Sequence, residues 1–262
     1  MKRIAVITGA SSGMGKEFAL QISKNFSSVD EIWLLARREN LLNDLVKEIH
    51  YYAEDIKVRL IPGDLCDEAT ISTLKDLLNS NNIKIKMLVN CAGFGKLGAF
   101  ENSNLKQQTD MIDVNIKALV KITFICIPYM AYNSRIINFA SSAAFLPQPY
   151  FATYAASKAF VLSFSRALSR ELKKDYIYVT AVCPGPVNTD FFNIAEETGE
   201  KAWYKNLVMA KCDKVVALAL NDSIHKKEIS VYGLSMKMFN LLCKEIPHKV
   251  LLDITNILNG EK

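Results

Sequence analysis

Short apolar runs of strand length alternate along this chain with longer stretches whose apolar residues recur every three or four positions. Runs such as Ile4-Ala5-Val6-Ile7 and Ile32-Trp33-Leu34-Leu35-Ala36 are apolar at successive positions, so both faces of each strand require cover. The helical stretches between them supply it. The alternation therefore predicts β-α-β units and an α/β fold, a doubly wound parallel sheet of about seven strands with helices on both faces. Strands are expected near 3–8, 31–36, 57–61, 86–90, 135–140, 177–183 and 228–232, and helices near 14–26, 39–53, 67–79, 105–131, 154–173 and 212–221. No internal repeat, low-complexity tract or Pro/Gly-rich linker breaks the rhythm, so residues 1–262 read as one domain.

Composition removes several classes of function. Half of the residues are hydrophobic, ample for a large core. The six cysteines, Cys66, Cys91, Cys126, Cys183, Cys212 and Cys243, form no C-x-x-C pair. They suit buried thiols in a reducing, cytoplasmic setting better than a disulfide framework or a zinc site. His50, His225 and His248 are isolated, so no metal is expected. The chain enters its first strand directly, without a signal peptide, and no apolar run reaches the ~18 residues of a membrane span. A net charge of +5 is mild, and no Lys/Arg cluster interleaved with aromatics points to nucleic acid.

The first strand runs into Thr8-Gly9-Ala10-Ser11-Ser12-Gly13-Met14-Gly15 and then a helix, the context that a dinucleotide-binding turn requires. Gly9 permits the tight turn, Gly13 lets the backbone approach a pyrophosphate, and Gly15 lets the helix pack on the strand. The opening helical turn offers N–H groups and a positive dipole end to phosphates. Ser11, Ser12 and Met14 complete this cofactor-binding set. At the end of the second strand, where an acidic residue would select NAD, stand Ala36-Arg37-Arg38. Arg37 can meet a 2′-phosphate with its guanidinium fork, with Arg38 beside it, so NADP(H) is the expected cofactor. Asp64 and Leu65 close the third strand; Asp64 either caps the turn or reaches an adenine amino group. Asn90-Cys91-Ala92-Gly93 closes the fourth, and both segments lie at carboxyl ends of strands, where open α/β sheets bind ligands.

Tyr154 and Lys158 are four residues apart, hence one turn apart on one helical face. A free phenol titrates near ~10; an ammonium one turn away favours the phenolate and lets the tyrosine exchange a proton. Ser141 and Ser142 end the fifth strand, where either could satisfy the backbone of the turn.

Together these motifs resemble the short-chain dehydrogenase/reductase family, over residues 3 to about 190. The glycine turn is similar to the family's T-G-x-x-x-G-x-G, and Asn90-Cys91-Ala92-Gly93 to its N-N-A-G, with Cys91 as the departure. Pro184-Gly185-Pro186-Val187-Asn188-Thr189 is similar to its P-G-x-V-x-T segment. The resemblance implies a Rossmann-type fold and assigns Asn115, Ser141, Tyr154 and Lys158 as catalytic. It assigns Asn90, Ala92, Gly93, Tyr154, Lys158, Pro184, Gly185, Val187 and Thr189 to the cofactor. Asn115 would distort its helix so that its carbonyl holds a water bridging to Lys158. The implied reaction moves a hydride between NADP(H) and a ketone, aldehyde or secondary alcohol. The rival is a non-catalytic NADP(H)-binding sensor, which would have no use for Ser141, Tyr154 and Lys158 together.

Substrate is expected between Ala143-Ala144-Phe145 and Tyr150, touching Ser141, Phe145, Tyr150, Tyr154 and Phe191. The lid is residues 190–210, whose Phe191, Phe192, Trp203, Tyr204 and Leu207 suit a lipid, steroid or aromatic ketone. The last strand lacks the glycine pair usual in the family's tetrameric enzymes, although a homodimer or homotetramer remains the expectation. Beyond it, residues 234–262 read as amphipathic helices with Lys237, Lys244 and Lys249 nearby. They would pack on the domain or a dimer partner, cover an apolar substrate, or lie on a membrane surface.

Overall fold

Seven strands form one parallel sheet in the order β3-β2-β1-β4-β5-β6-β7. They are β1 (Lys2–Thr8), β2 (Glu31–Ala36), β3 (Lys57–Pro62), β4 (Ile83–Asn90), β5 (Met130–Phe139), β6 (Ile177–Val182) and β7 (Ile229–Ser230). The computed structural model describes residues 1–80, 82–196 and 209–258. The helices are α1 (Gly13–Asn25), α2 (Glu39–Tyr52), α3 (Glu68–Ser80), α4 (Leu105–Ile112), α5 (Leu119–Cys126), α6 (Ala152–Glu171), α7 (Phe191–Ala195), α8 (Cys212–Ile224), α9 (Leu234–Glu245) and α10 (His248–Leu258). The doubly wound architecture expected from the alternation is the one found.

The period-two geometry of strands divides the apolar runs between two cores. Ala5 and Ile7 of β1, with Ile32 and Leu34 of β2, pack beneath α1, α2 and α8. Ile4, Val6, Trp33 and Leu35 point the other way, toward α3, α5 and α6. All six residues of β2 are buried, which is why this interior strand reads as an unbroken apolar run.

Several boundaries differ from expectation. The long helix near 105–131 stops at Cys126, because Pro128 supports only a short 3₁₀ turn over Ile127–Tyr129. β5 begins at Met130, with an irregularity between the Ile85/Met130 and Met87/Arg135 pairings and a left-handed Asn133 (φ 55°). The apolar pattern therefore marks only its regular half. The last strand is reduced to Ile229–Ser230.

The strand order reverses between β1 and β4, and the two C-terminal ends part there. Such a switch point opens a crevice at the carboxyl edge of the sheet. Thr8 shapes its floor. Its hydroxyl oxygen accepts from the N–H of Cys91 (3.1 Å) and of Ala92 (3.2 Å), fixing the end of β1 to the segment after β4.

Candidate active site

The glycine turn is built by close approach. Gly9 adopts φ +66°, and a Cβ there would lie 2.8 Å from the Ala92 nitrogen. A Cβ on Gly15 would lie 2.3 Å from the Gly9 carbonyl oxygen, so α1 can begin against the strand only if residue 15 has no side chain. The first turn of α1 carries no acidic residue, leaving its N–H groups and positive dipole end to an anion. Gly9, Ser11, Ser12, Gly13, Met14 and Gly15 all line one side of the crevice.

At the far end of that side, Arg38 reaches across the turn. Its Nη2 donates to Ser12 Oγ (2.7 Å) and Ser11 Oγ (3.0 Å), and its Nε to Ser11 Oγ (3.3 Å). Arg37, the residue expected to lead in phosphate recognition, instead approaches Asp64 (Nη1–Oδ2 3.7 Å) with its side chain mostly exposed. Both arginines line the crevice, but the guanidinium poised over the turn is that of Arg38. Asp64 takes its capping role, accepting from the Cys66 N–H at 2.9 Å, while it and Leu65 also line the crevice. Ala92 and Gly93 line the opposite wall.

The crevice continues into a second chamber through shared walls at Met14, Cys91, Gly93, Thr189 and Phe191. Ser141, Tyr154 and Lys158 converge there with Pro184, Gly185 and Val187. Ser141 caps the short turn Ser142–Ala144, its Oγ accepting from Ala143 N–H at 3.1 Å. Because that oxygen accepts from the backbone, its own proton is left to point elsewhere. Lys158 is 5% exposed. Its Nζ donates to the Phe139 carbonyl (2.9 Å) and stands 5.5 Å from the Tyr154 ring centre. Burial pulls its pKa down to about 8. Cys91 borders the same space, but burial pushes its thiol up to about 12, so it is no nucleophile at neutral pH.

Asn115 acts on the site through the backbone. Residues Asp113–Ala118 wind as a π-turn between α4 and α5, the helix distortion expected at this position. The Asn115 side chain accepts from Phe94 N–H (3.0 Å) and donates to the Phe94 carbonyl (2.9 Å) and to Ser157 Oγ (3.0 Å). It thereby clamps the loop after β4 onto α6. A Cβ on Gly93 would meet Asn115 Oδ1 at 2.8 Å and Lys158 Nζ at 3.3 Å, which shows how tightly this loop covers the lysine.

A profile of the short chain dehydrogenase family matches residues 3–200, well over half of the chain. The chain belongs to the short-chain dehydrogenase family. An uncharacterised oxidoreductase of Staphylococcus epidermidis is 31% identical over 226 residues, covering 86% of this chain and 93% of that protein. Among solved structures, a short-chain dehydrogenase from Sphingobium yanoikuyae in complex with NADPH superposes with a TM-score of 0.78 at 24% identity, covering 94% of this chain and 97% of that one. A family member from Burkholderia phymatum in complex with NAD gives 0.79 at 21% identity, covering 100% and 96%. Membership makes this dehydrogenase an oxidoreductase acting between CH–OH and C=O groups with a nicotinamide cofactor.

Three assigned residues of this dehydrogenase sit elsewhere. Asn90 turns its amide inward, donating to Thr123 Oγ1 (2.9 Å) and Asn138 Oδ1 (2.8 Å), so it braces the sheet instead of facing the cofactor crevice. Phe145 points into the core, with its ring 6.3 Å from Phe239. Tyr150 is 41% exposed, with φ 59°, and lines neither chamber. The aromatic wall is Phe151, stacked on Tyr154 at 4.2 Å, together with Phe191 at 5.4 Å and Phe192. Gln148 adds a polar group. Phe151 precedes the Tyr154-to-Lys158 stretch and Ser157 lies within it, and only their tertiary partners reveal what they do. Trp203, Tyr204 and Leu207 lie outside the described residues.

Proposed function

We propose that this dehydrogenase uses NADP(H) to interconvert a ketone or aldehyde with its alcohol, and that the carbonyl compound is apolar. The observation that carries this reading is a single crevice with phosphate-type donors at one end and Ser141, Tyr154 and Lys158 at the other. The residues fit the cofactor. The glycine turn leaves space for a pyrophosphate, and Arg38, with the hydroxyls of Ser11 and Ser12, forms a donor set suited to a 2′-phosphate. When bound, NADP(H) supplies or accepts the hydride at the nicotinamide ring.

The chain's own groups do the rest. In reduction, Tyr154 gives its phenolic proton to the carbonyl oxygen as negative charge builds there. Ser141, whose oxygen is already engaged by Ala143 N–H, donates its hydroxyl proton to the same substrate oxygen. Lys158 spends one N–H on the Phe139 carbonyl and keeps two for ribose hydroxyls and for Tyr154. Its positive charge lowers the cost of the tyrosinate left behind. Phe151, Phe191 and Phe192 give this chamber apolar walls that exclude water, which favours aromatic, steroid or lipid-like carbonyl compounds.

The test is Tyr154→Phe, assayed by NADPH absorbance against a panel of apolar ketones and aldehydes. The ring and its stacking on Phe151 persist, so NADPH binding should hold. Turnover should fall by about 10²–10⁴-fold, in kcat more than in KM. Near-full turnover in Tyr154→Phe on a substrate that the unmutated enzyme accepts would refute the mechanism.

A further inference from the structure

Two loops wall the chamber that holds Tyr154, and they are backed by the far end of the chain. One is the turn Ser142–Ala144 that follows Ser141; the other is Pro184-Gly185-Pro186, just after β6. A main-chain bond joins them, Ser142 N–H donating to the Pro184 carbonyl at 2.8 Å. The Pro186 carbonyl accepts from Ala210 N–H at 2.9 Å. Neither proline has an N–H to donate, so packing has to supply what the backbone of this loop cannot.

That packing comes from α9. A Cβ added to Gly185 would stand 2.6 Å from Met236 Sδ, 2.9 Å from its Cγ and 3.7 Å from its Cε, and these are the three nearest atoms it would meet. The thioether therefore occupies the space that a side chain at 185 would need. Phe239, three residues on and on the same face of the helix, meets Phe145 directly after the Ser142–Ala144 turn, with 6.3 Å between ring centres. Leu251 and Leu252 of α10 pack on the same buried cluster, which includes Phe145, Leu146 and Cys183. One face of α9 thus backs both loops at once, while Met236 itself lines neither chamber.

We propose that Met236 is a positioning residue for the reaction: its thioether presses Pro184-Gly185-Pro186 toward the Ser141 turn and so sets the distance between the two walls of the chamber. An unbranched, flexible thioether suits the task of filling an irregular gap over a glycine. Without it the loop is free to retreat from the chamber, and Ser141 loses its register with the substrate oxygen. The inference rests on the reading of this chamber as the site of carbonyl reduction, and adds to it a residue from outside the chamber.

The experiment compares Met236→Ala and Met236→Leu in the full chain. Amide hydrogen exchange of the cofactor-free protein reads the loop contact, and steady-state kinetics read its consequence. In Met236→Ala the Ser142 amide should exchange at least about tenfold faster relative to core amides such as that of Ile137, which follow global stability. Turnover should fall about tenfold or more, toward the ~10²-fold that a 1 Å misplacement costs, in kcat more than in KM. NADPH fluorescence should still show binding, because the glycine turn and Arg38 are untouched. Met236→Leu, which nearly conserves volume, should restore both exchange and kcat. Unchanged Ser142 exchange or unchanged kcat in Met236→Ala would overturn the proposal, and so would a leucine variant as impaired as the alanine one. Gly185→Ala approaches the same contact from the other side and creates no cavity. Its Cβ displaces the thioether, so Ser142 exchange should rise here too, and an unchanged rate would again refute the contact. Adding Met236→Ala makes room for that Cβ, so the double variant should lose less kcat than the product of the single losses; losses that simply multiply would count against the proposal. Tyr154→Phe, assayed alongside, tests the reduction itself. The exchange measurement uses neither cofactor nor substrate, so failure of the brace and failure of the reaction are read separately.

Discussion

Replacing Lys158 by methionine separates what this residue does for chemistry from what it costs the fold. Methionine keeps an unbranched stem of similar length and removes the charge. The wholly buried ammonium has its pKa pulled from the ordinary 10.5 to about 8 by desolvation. That displacement corresponds to about 3 kcal/mol lost to the folded state when the lysine is protonated in both states. The sign follows from proton counts. Between pH of about 8 and 10.5 the unfolded chain holds this proton and the folded protein does not, so stability rises with pH across that window. Below it the penalty is complete, and above it the penalty has vanished. Methionine escapes the penalty but leaves the Phe139 carbonyl without its partner, at a cost of about 1–3 kcal/mol. At pH 7 the two proteins should therefore be nearly equal, or the variant more stable by up to about 2 kcal/mol. At pH 10 the variant should be the less stable one. The assay is urea unfolding of the cofactor-free proteins at both pH values, where other titrating groups cancel in the difference. The stability gap should change by about 2–3 kcal/mol between them. A gap that does not move with pH would refute a depressed, buried ammonium at this position. Turnover should be abolished in either case, a trade of activity against stability at a site that demands a buried charge.

Arg38→Asp should weaken NADPH by about 10- to 150-fold, the value of a charge-assisted contact, and NADH far less. Titration of both cofactors by fluorescence checks it, and equal losses would remove Arg38 from 2′-phosphate recognition. Gly15→Ala should destabilise the protein and abolish cofactor binding, because its Cβ would press to 2.3 Å on a backbone oxygen that has no rotamer to yield. Thermal unfolding and NADPH fluorescence read the two effects, and wild-type behaviour in both would contradict the close approach of turn and helix. Asn115→Ala releases both main-chain groups of Phe94 and should raise amide hydrogen exchange at Phe94 and lower turnover. Unchanged exchange there would show that the loop is held by something else.

Local physics made most of the architecture legible. An apolar run that must be covered on both faces can be satisfied only between helical layers, so the sheet follows from short segments read one at a time. The glycine turn and the Tyr154–Lys158 spacing are local in the same sense, since each works within a single turn of chain. Family resemblance then carried Ser141 and Asn115 to positions that the fold brings beside them. What the sequence left open depends on partners distant along the chain. Whether Arg37 or Arg38 faces the turn is decided by Ser11 and Ser12, 27 and 26 residues away. Asn90 lies in a motif that resembles a cofactor contact, yet its amide is claimed by Thr123 and Asn138 on neighbouring elements. Phe145 belongs to the core because Phe239 of the C-terminal helix pair comes to meet it, and the chamber wall passes instead to Phe151, stacked on Tyr154. The outward face of α9 is apolar in sequence just as its inward face is, and spacing alone ranks neither. Only the packing of Met236 on Gly185 decides which side the domain buries and which it leaves exposed. Periodicity states that a side chain needs cover or a partner, while the long-range contacts of the folded chain choose which one it gets.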